Sequence, residues 1–281
     1  MIALYRFVRT VLHQAFINQN WIAATVTAAV TVACLVQSTL APHSVVIAAD
    51  GHALQDAPSD DHSESKQPVL KVTLCDDFDV TEVGVSQKWQ QFTETKLNRR
   101  PKGQLEYESS IRMMYSSTGV YVLFSGTDRK ITATMTEDFA DLWNEDVFEC
   151  FFWTNEKHPV YFEYEISPLG YELPILVPKL DGKFLGWRPW HYEGKRRIQK
   201  EVVITGGPQQ SGAEIKQWQA EVFIPYELLQ PLTNVPPQKG TRWRANFYRV
   251  DYDDSGTTAW DWARVGSSFH DIENFGTLIF E

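Results

Sequence analysis

The sequence predicts an all-β chain: an antiparallel β-sandwich of jelly-roll or immunoglobulin-like architecture, with few short helices, behind an N-terminal signal or anchor segment. Three observations lead there. Short apolar runs recur between turn residues from Pro68 to the C-terminus. Aromatic residues reach 13%, with 10 Trp and 11 Tyr, and such side chains pack well on pleated surfaces. No sustained period of 3.6, no internal repeat and no alternation of strand and helix is visible.

The first 49 residues differ from the rest. Arg6 and Arg9 form a positive head, no acidic residue precedes Asp50, and Trp21 to Val36 is apolar or small throughout. That stretch, about 16 residues, suits a signal-peptide core or short anchor better than a full span of roughly 20. Small residues at Ala48 and Ala49 suit a cleavage site. An uncleaved anchor, or lipidation at Cys34, are the alternatives. All three put the domain outside the cytoplasm: periplasmic, extracellular or anchored facing outward, with the membrane reached only through the N-terminal segment. Residues 50–67 are rich in Asp, Ser and His and nearly free of apolar side chains, as expected of a disordered linker. The folded domain is expected over residues 68–281, as a monomer.

Within it, Val69 to Leu74 alternates and predicts a first strand. Ser109 to Tyr115 and Val120 to Phe124, joined at Ser116–Gly119, predict a hairpin. Val147 to Trp153 and Val160 to Ile166 predict a second. Lys216 to Ile224, Thr241 to Val250 and Gly276 to Phe280 complete the series, and Pro225 suits the start of one helical turn. The stretch from Tyr171 to Gln199, interrupted by Pro, Gly and Trp, predicts a long excursion over the sandwich surface. Cys75 and Cys150 are either a bridged pair or two free thiols; two cysteines do not decide it.

Composition excludes some functions. A net charge of −10 opposes nucleic-acid binding, which needs a field of Lys and Arg. There is no nucleophile elbow, phosphate loop or dinucleotide fingerprint. The histidines of the domain, His158, His191 and His270, lack ligand spacing, so zinc is not expected. Asp251 to Gly256 opens like a calcium loop, but the twelfth position is Trp262 rather than Glu. A hairpin turn explains those residues, and a structural calcium ion is left as an open alternative; no other cofactor is expected. Asp146, Glu149, Glu163 and Glu165 could form the carboxylate pair of a glycoside hydrolase, although no spacing singles one out.

A pyranose offers an apolar face and a rim of hydroxyls, so its site needs a flat aromatic beside hydrogen-bonding groups. Trp143, with Asn144, Asp146 and Glu149 close by, supplies both; Trp260 and Trp262 share one face of an extended segment. Filling of the core is the competing account of these tryptophans.

Several pieces occur in a telling order: Asp141-x-Trp143-x-x-Asp146-x-x-Glu149, Tyr161-Phe162-Glu163, Ile166-Ser167-Pro168-Leu169-Gly170, Ala220 to Pro225, Arg244 to Arg249, Trp260-Asp261-Trp262, and Ser268 to Gly276. In these the chain resembles the family 9 carbohydrate-binding modules from Pro68 to its C-terminus. The resemblance implies a sandwich that clamps a sugar ring between two tryptophans, commonly in the service of polysaccharide catabolism. Trp143 matches the first clamp position and Glu149 the acid that bonds hydroxyls. Trp262, with Trp260 as competitor, is expected as the second wall. The family's binding arginine has no counterpart near Gly170; Arg249 is the substitute considered. The expectation is thus a non-catalytic exported carbohydrate-binding protein. A glycoside hydrolase and a structural or adhesion sandwich without a sugar site are the alternatives.

Overall fold

The computed structural model describes residues 67–80, 84–180, 183–184, 186–189, 191–253 and 256–281; the expected signal with Cys34, and the linker up to Lys66, lie outside them. Fourteen strands follow in order: β1 (Val69–Leu74), β2 (Thr95–Lys96), β3 (Asn98–Arg99), β4 (Ser109–Tyr115), β5 (Gly119–Thr127), β6 (Val147–Trp153), β7 (Val160–Ile166), β8 (Glu172–Leu180), β9 (Lys183–Phe184), β10 (Gln199–Thr205), β11 (Gln217–Pro225), β12 (Arg242–Asp253), β13 (Gly256–Asp261) and β14 (Gly276–Phe280). Among the described residues helix is confined to short turns, one of them Tyr226–Leu229 directly after Pro225.

One layer runs β10-β11-β5-β4 and the other β14-β12-β6-β7-β8. Both expected hairpins, β4–β5 and β6–β7, are antiparallel pairs. The exception to antiparallel order is β1. Its residues 69–72 pair in parallel with β14, and Thr73 and Leu74 pair in parallel with β4, so this strand passes from one layer to the other. β12 lies along β6 on one side from Arg244 to Val250, and takes β14 and then β13 on the other.

Between the layers lies the main core. From the first layer come Val122, Phe124, Trp218 and Ala220; from the second come Phe148, Cys150, Phe152, Phe162 and Phe247. The Phe148 ring lies 5.2 Å from that of Phe124 and 4.4 Å from that of Trp218, so the two sheets interlock through aromatics. Cys150 is buried here as a free thiol, and Cys75 is also free.

The region expected as a surface excursion begins instead with a strand. β8 pairs with β7 from Val160↔Pro178 to Ile166↔Glu172. Pro174 and Pro178 made this segment read as a loop. The Leu176 amide points away from β7, donating to the Trp187 carbonyl at 2.9 Å. Pro174 and Pro178 share that parity, so each lacks an N–H where none is needed for pairing with β7.

Candidate functional site

Side chains alternate across a sheet, so each strand of the second layer serves two environments. Phe148, Cys150, Phe152, Phe162, Tyr164, Ile166 and Phe247 face inward. Val147, Phe151, Trp153, Tyr161, Tyr248 and Val250 face outward and form a second apolar cluster. Glu149 lies between Val147 and Phe151, and it opposes Glu165 on β7 and Tyr248 on β12. Glu163 shares the parity of Glu165. Three glutamates therefore stand on the outward face of β6 and β7.

Two loop segments cover this face. Phe269, Ile272 and Phe275 come from one, and Met135, Phe139, Leu142 and Trp143 from the other. The second is held by carboxylates. Glu145 accepts from the Thr134 and Met135 amides at 2.6 and 3.0 Å. Asp146 accepts from the Thr132 and Tyr252 amides at 2.5 and 2.8 Å. Leu142, fully buried, anchors a turn of 3-10 helix at Leu142–Asn144 that presents Trp143 half-buried. The Tyr252 hydroxyl donates to the Trp143 carbonyl at 2.7 Å. Phe139, four residues before Trp143, holds a backbone φ of +67°, a left-handed conformation uncommon outside glycine.

Glu149 is wholly buried, and among the described residues no N–H or O–H reaches either of its carboxyl oxygens; Glu163 and Glu165, also buried, are hydrogen-bonded to each other. Burial pushes the Glu149 and Glu165 carboxyls far above the ordinary carboxylate range, and their glutamate neighbours add to it. Burial likewise raises Glu163 to about 8. Near neutral pH these acids retain protons, because ionised carboxylates in low dielectric would repel one another without compensating charge. His270 reaches the edge of the group: its Nδ1 lies 2.6 Å from the Tyr161 hydroxyl and 3.7 Å from Glu163 Oε2. It sits in a turn, and its ring stacks on Phe151 beside the acids.

Trp143 and Glu149 are thus brought to one face, and the other three expected site residues are not. Arg249 follows Tyr248, the partner of Glu149, and so points inward. It is fully buried: its guanidinium donates to the Thr127 carbonyl at 2.7 Å and to Ser109 Oγ at 3.2 Å, and it bonds Asp251. It lies 5.1 Å from the Trp260 ring, and a Cβ on Gly126 would stand 2.5 Å from one of its nitrogens. This corrects the expectation that Arg249 bonds a ligand beside Trp143. Trp260 is paired with Arg249 across β12–β13 and faces the same interior. Trp262 lies 5.7 Å from the Phe247 ring and presses on Gly276, where a Cβ would stand 2.4 Å from the indole. With exposures of 1% and 5%, Trp260 and Trp262 are core side chains and offer no second wall opposite Trp143.

The calcium expectation also changes shape. Asp251 points inward and meets Asp128 and Asp146, with one oxygen of each within 4.8 Å of the others. Burial raises all three carboxyls, Asp146 to about 9 and Asp251 to about 7. Oxygens of this kind suit a hard cation, and the Arg249 guanidinium supplies fixed positive charge to Asp251 and, at 3.3 Å, to Asp128.

No family model matches the chain. An "Extracellular protein" of Arthroderma benhamiae is 26% identical over 184 residues, covering 62% of this chain and 78% of that protein. A protein of Bacteroides uniformis assigned as carbohydrate-binding superposes with a TM-score of 0.61 at 14% identity, over 77% of this chain and all of the other. A family 9 carbohydrate-binding module from Caldicellulosiruptor kristjanssonii, solved with cellotriose, gives a TM-score of 0.53 at 12% identity, over 76% of this chain and 94% of that one. The same organism's module with glucose gives 0.52 at 12%, over 75% and 96%. Two layers of mostly antiparallel strands in this order, shared with those structures over three quarters of the sequence, give this chain the fold of the family 9 carbohydrate-binding modules.

Proposed function

We propose that this chain is a non-catalytic, exported carbohydrate-binding protein in which Trp143 stacks against a sugar ring and Glu149 accepts hydrogen bonds from its hydroxyls. The observation that carries the reading is the convergence of Trp143 and Glu149 on one sheet face. They are a flat aromatic and a carboxyl group with no protein donor, the two kinds of group a pyranose requires. Modules of the same fold were solved with cellotriose and glucose, and this supports a sugar as the ligand class. The apolar, acid-free N-terminal stretch and the extracellular name of the Arthroderma relative support export. A role in polysaccharide catabolism would follow from such binding.

Isothermal titration with glucose and cello-oligosaccharides tests the reading. Saturable binding is expected for the native protein, and Trp143→Ala should abolish it. Undiminished affinity in that variant would overturn the role of Trp143, and release of reducing sugar by the native protein would replace binding with hydrolysis.

A further inference from the structure

Register places a cation on the side of the sheet that carries Trp143. Trp187 pairs with Leu176 at the outer edge of β8, each amide donating to the other's carbonyl at 2.9 Å. Leu176 points into the core, and bridged residues share one side of a sheet, so the next residue, Arg188, turns to the outward side. There its guanidinium lies over the Phe139 ring, 4.1 Å from the centroid. Phe139 belongs to the covering loop that presents Trp143, and both pack on the same apolar cluster. Only four residues separate them, so their Cα atoms lie at most about 14 Å apart, within the span of a short oligosaccharide.

The Phe139 platform is fixed. Its amide donates to the Glu172 carbonyl at 2.8 Å, and the Tyr192 ring meets it in a T-shaped contact at 5.7 Å. Arg188 itself is exposed, and among the described residues it forms no ion pair or hydrogen bond. The acids beside Phe139 are engaged elsewhere. Asp138 takes Lys200 at 3.5 Å and Arg197 at 3.6 Å, while Glu172 takes Lys200 at 3.1 Å and the Tyr192 hydroxyl at 2.7 Å. Glu137 and Asp141, the exposed acids of the same loop, form no ion pair with Arg188 either. A guanidinium over a ring keeps its in-plane N–H groups for another partner. In a chain of net charge −10, this cation is held in place and left without an anion.

We infer that Arg188 sets the ligand preference: it binds the carboxylate of a uronic acid unit in a glycan whose neighbouring ring lies on Trp143. This rests on the sugar-binding reading above and narrows it to acidic glycans. A neutral sugar brings hydroxyls, which water replaces at an exposed arginine with little loss. A carboxylate brings two oxygens in one plane and the opposite charge, which matches the guanidinium fork. Phe139 acts as a positioning residue, since its ring restricts the arginine before the ligand arrives and lowers the ordering cost of binding.

Titration calorimetry with cello-oligosaccharides of two and three units, neutral or with a glucuronate at the non-reducing end, tests the inference. The acidic sugars should bind about tenfold more tightly at low ionic strength, the size expected of one charge-assisted pair, and added salt should shrink the margin. Arg188→Ala should remove the margin and leave the affinity for the neutral sugars unchanged. Arg188→Lys, which keeps the charge and loses the fork, should retain only part of it. Equal affinities for acidic and neutral sugars in the native protein, or a margin that survives Arg188→Ala, would overturn the inference and leave the sugar site standing. Equal loss of both kinds of sugar in Arg188→Ala would also overturn it, by making Arg188 a clip that holds the Trp143 loop. No binding of any sugar would remove both the inference and the reading it rests on.

Discussion

Glu149 on β6 and Arg249 on β12 occupy neighbouring strands yet opposite faces of one sheet, because Glu149 is registered with Tyr248 and Arg249 is the next residue. One is a buried acid without a protein donor on the outward face. The other is a cation held by Asp251, Asp128, Thr127 and Ser109 in the interior. Neither can substitute for the other, and their variants should fail differently.

Arg249→Ala should cost about 3–5 kcal/mol of folding stability, because it leaves buried Asp128 and Asp251 without their cation. Urea unfolding measures this. Under conditions where the variant remains folded, its sugar affinity should match that of the native protein.

Trp262→Ala should likewise act on stability. It empties a site between Phe247 and Gly276, at a cost of about 3–5 kcal/mol for a large buried aromatic. A fall in midpoint denaturant with unchanged sugar affinity is the expected pair of results. A selective loss of affinity would return Trp262 to the ligand site.

Tyr252→Phe removes the hydroxyl that holds the Trp143 carbonyl at 2.7 Å. The ring and its packing stay, so the loss of stability should be about 1 kcal/mol. If the turn positions Trp143 for stacking, sugar affinity should drop several-fold, read by calorimetry, with no change in the far-ultraviolet dichroism of the sheets.

The glutamates make stability depend on pH in a defined sense. Glu163 is raised from 4.5 to about 8, and Glu149 and Glu165 shift the same way. Between those values the folded protein keeps a proton that the unfolded chain has released. The favourable contribution is therefore complete below about 4.5 and is lost as pH rises toward 8. Melting temperature should fall from pH 5 to pH 8, and Glu163→Gln should flatten that slope. An unchanged slope would show that Glu163 is ionised in the folded protein.

Much of the sandwich could be read along the chain. The runs at Val147–Trp153 and Val160–Ile166 became β6 and β7 with those bounds, because period-2 patterning and a polar turn are local properties. The candidate site was legible in part. Trp143 and Glu149 belong to one short segment, and the bonds that tie Glu145 and Asp146 back to residues 132–135 close a loop of only 10 to 14 residues. β8 was hidden by its prolines, whose tolerance depends on which way one edge faces.

What the sequence determined by itself is the class of fold and the pairing of Trp143 with an acid six residues later. Both follow from patterns that repeat within a few residues. Tertiary structure alone decided on which side of the sheet each remaining candidate lies. Trp260, Trp262 and Arg249 look like site residues in a linear reading, and nothing in it sets Glu163 and Glu165 apart from other acids. Register reverses both, since a shift of one residue exchanges the faces of a strand. That register turns the aromatics and the arginine into core, and it sets three glutamates on the outward face of β6 and β7.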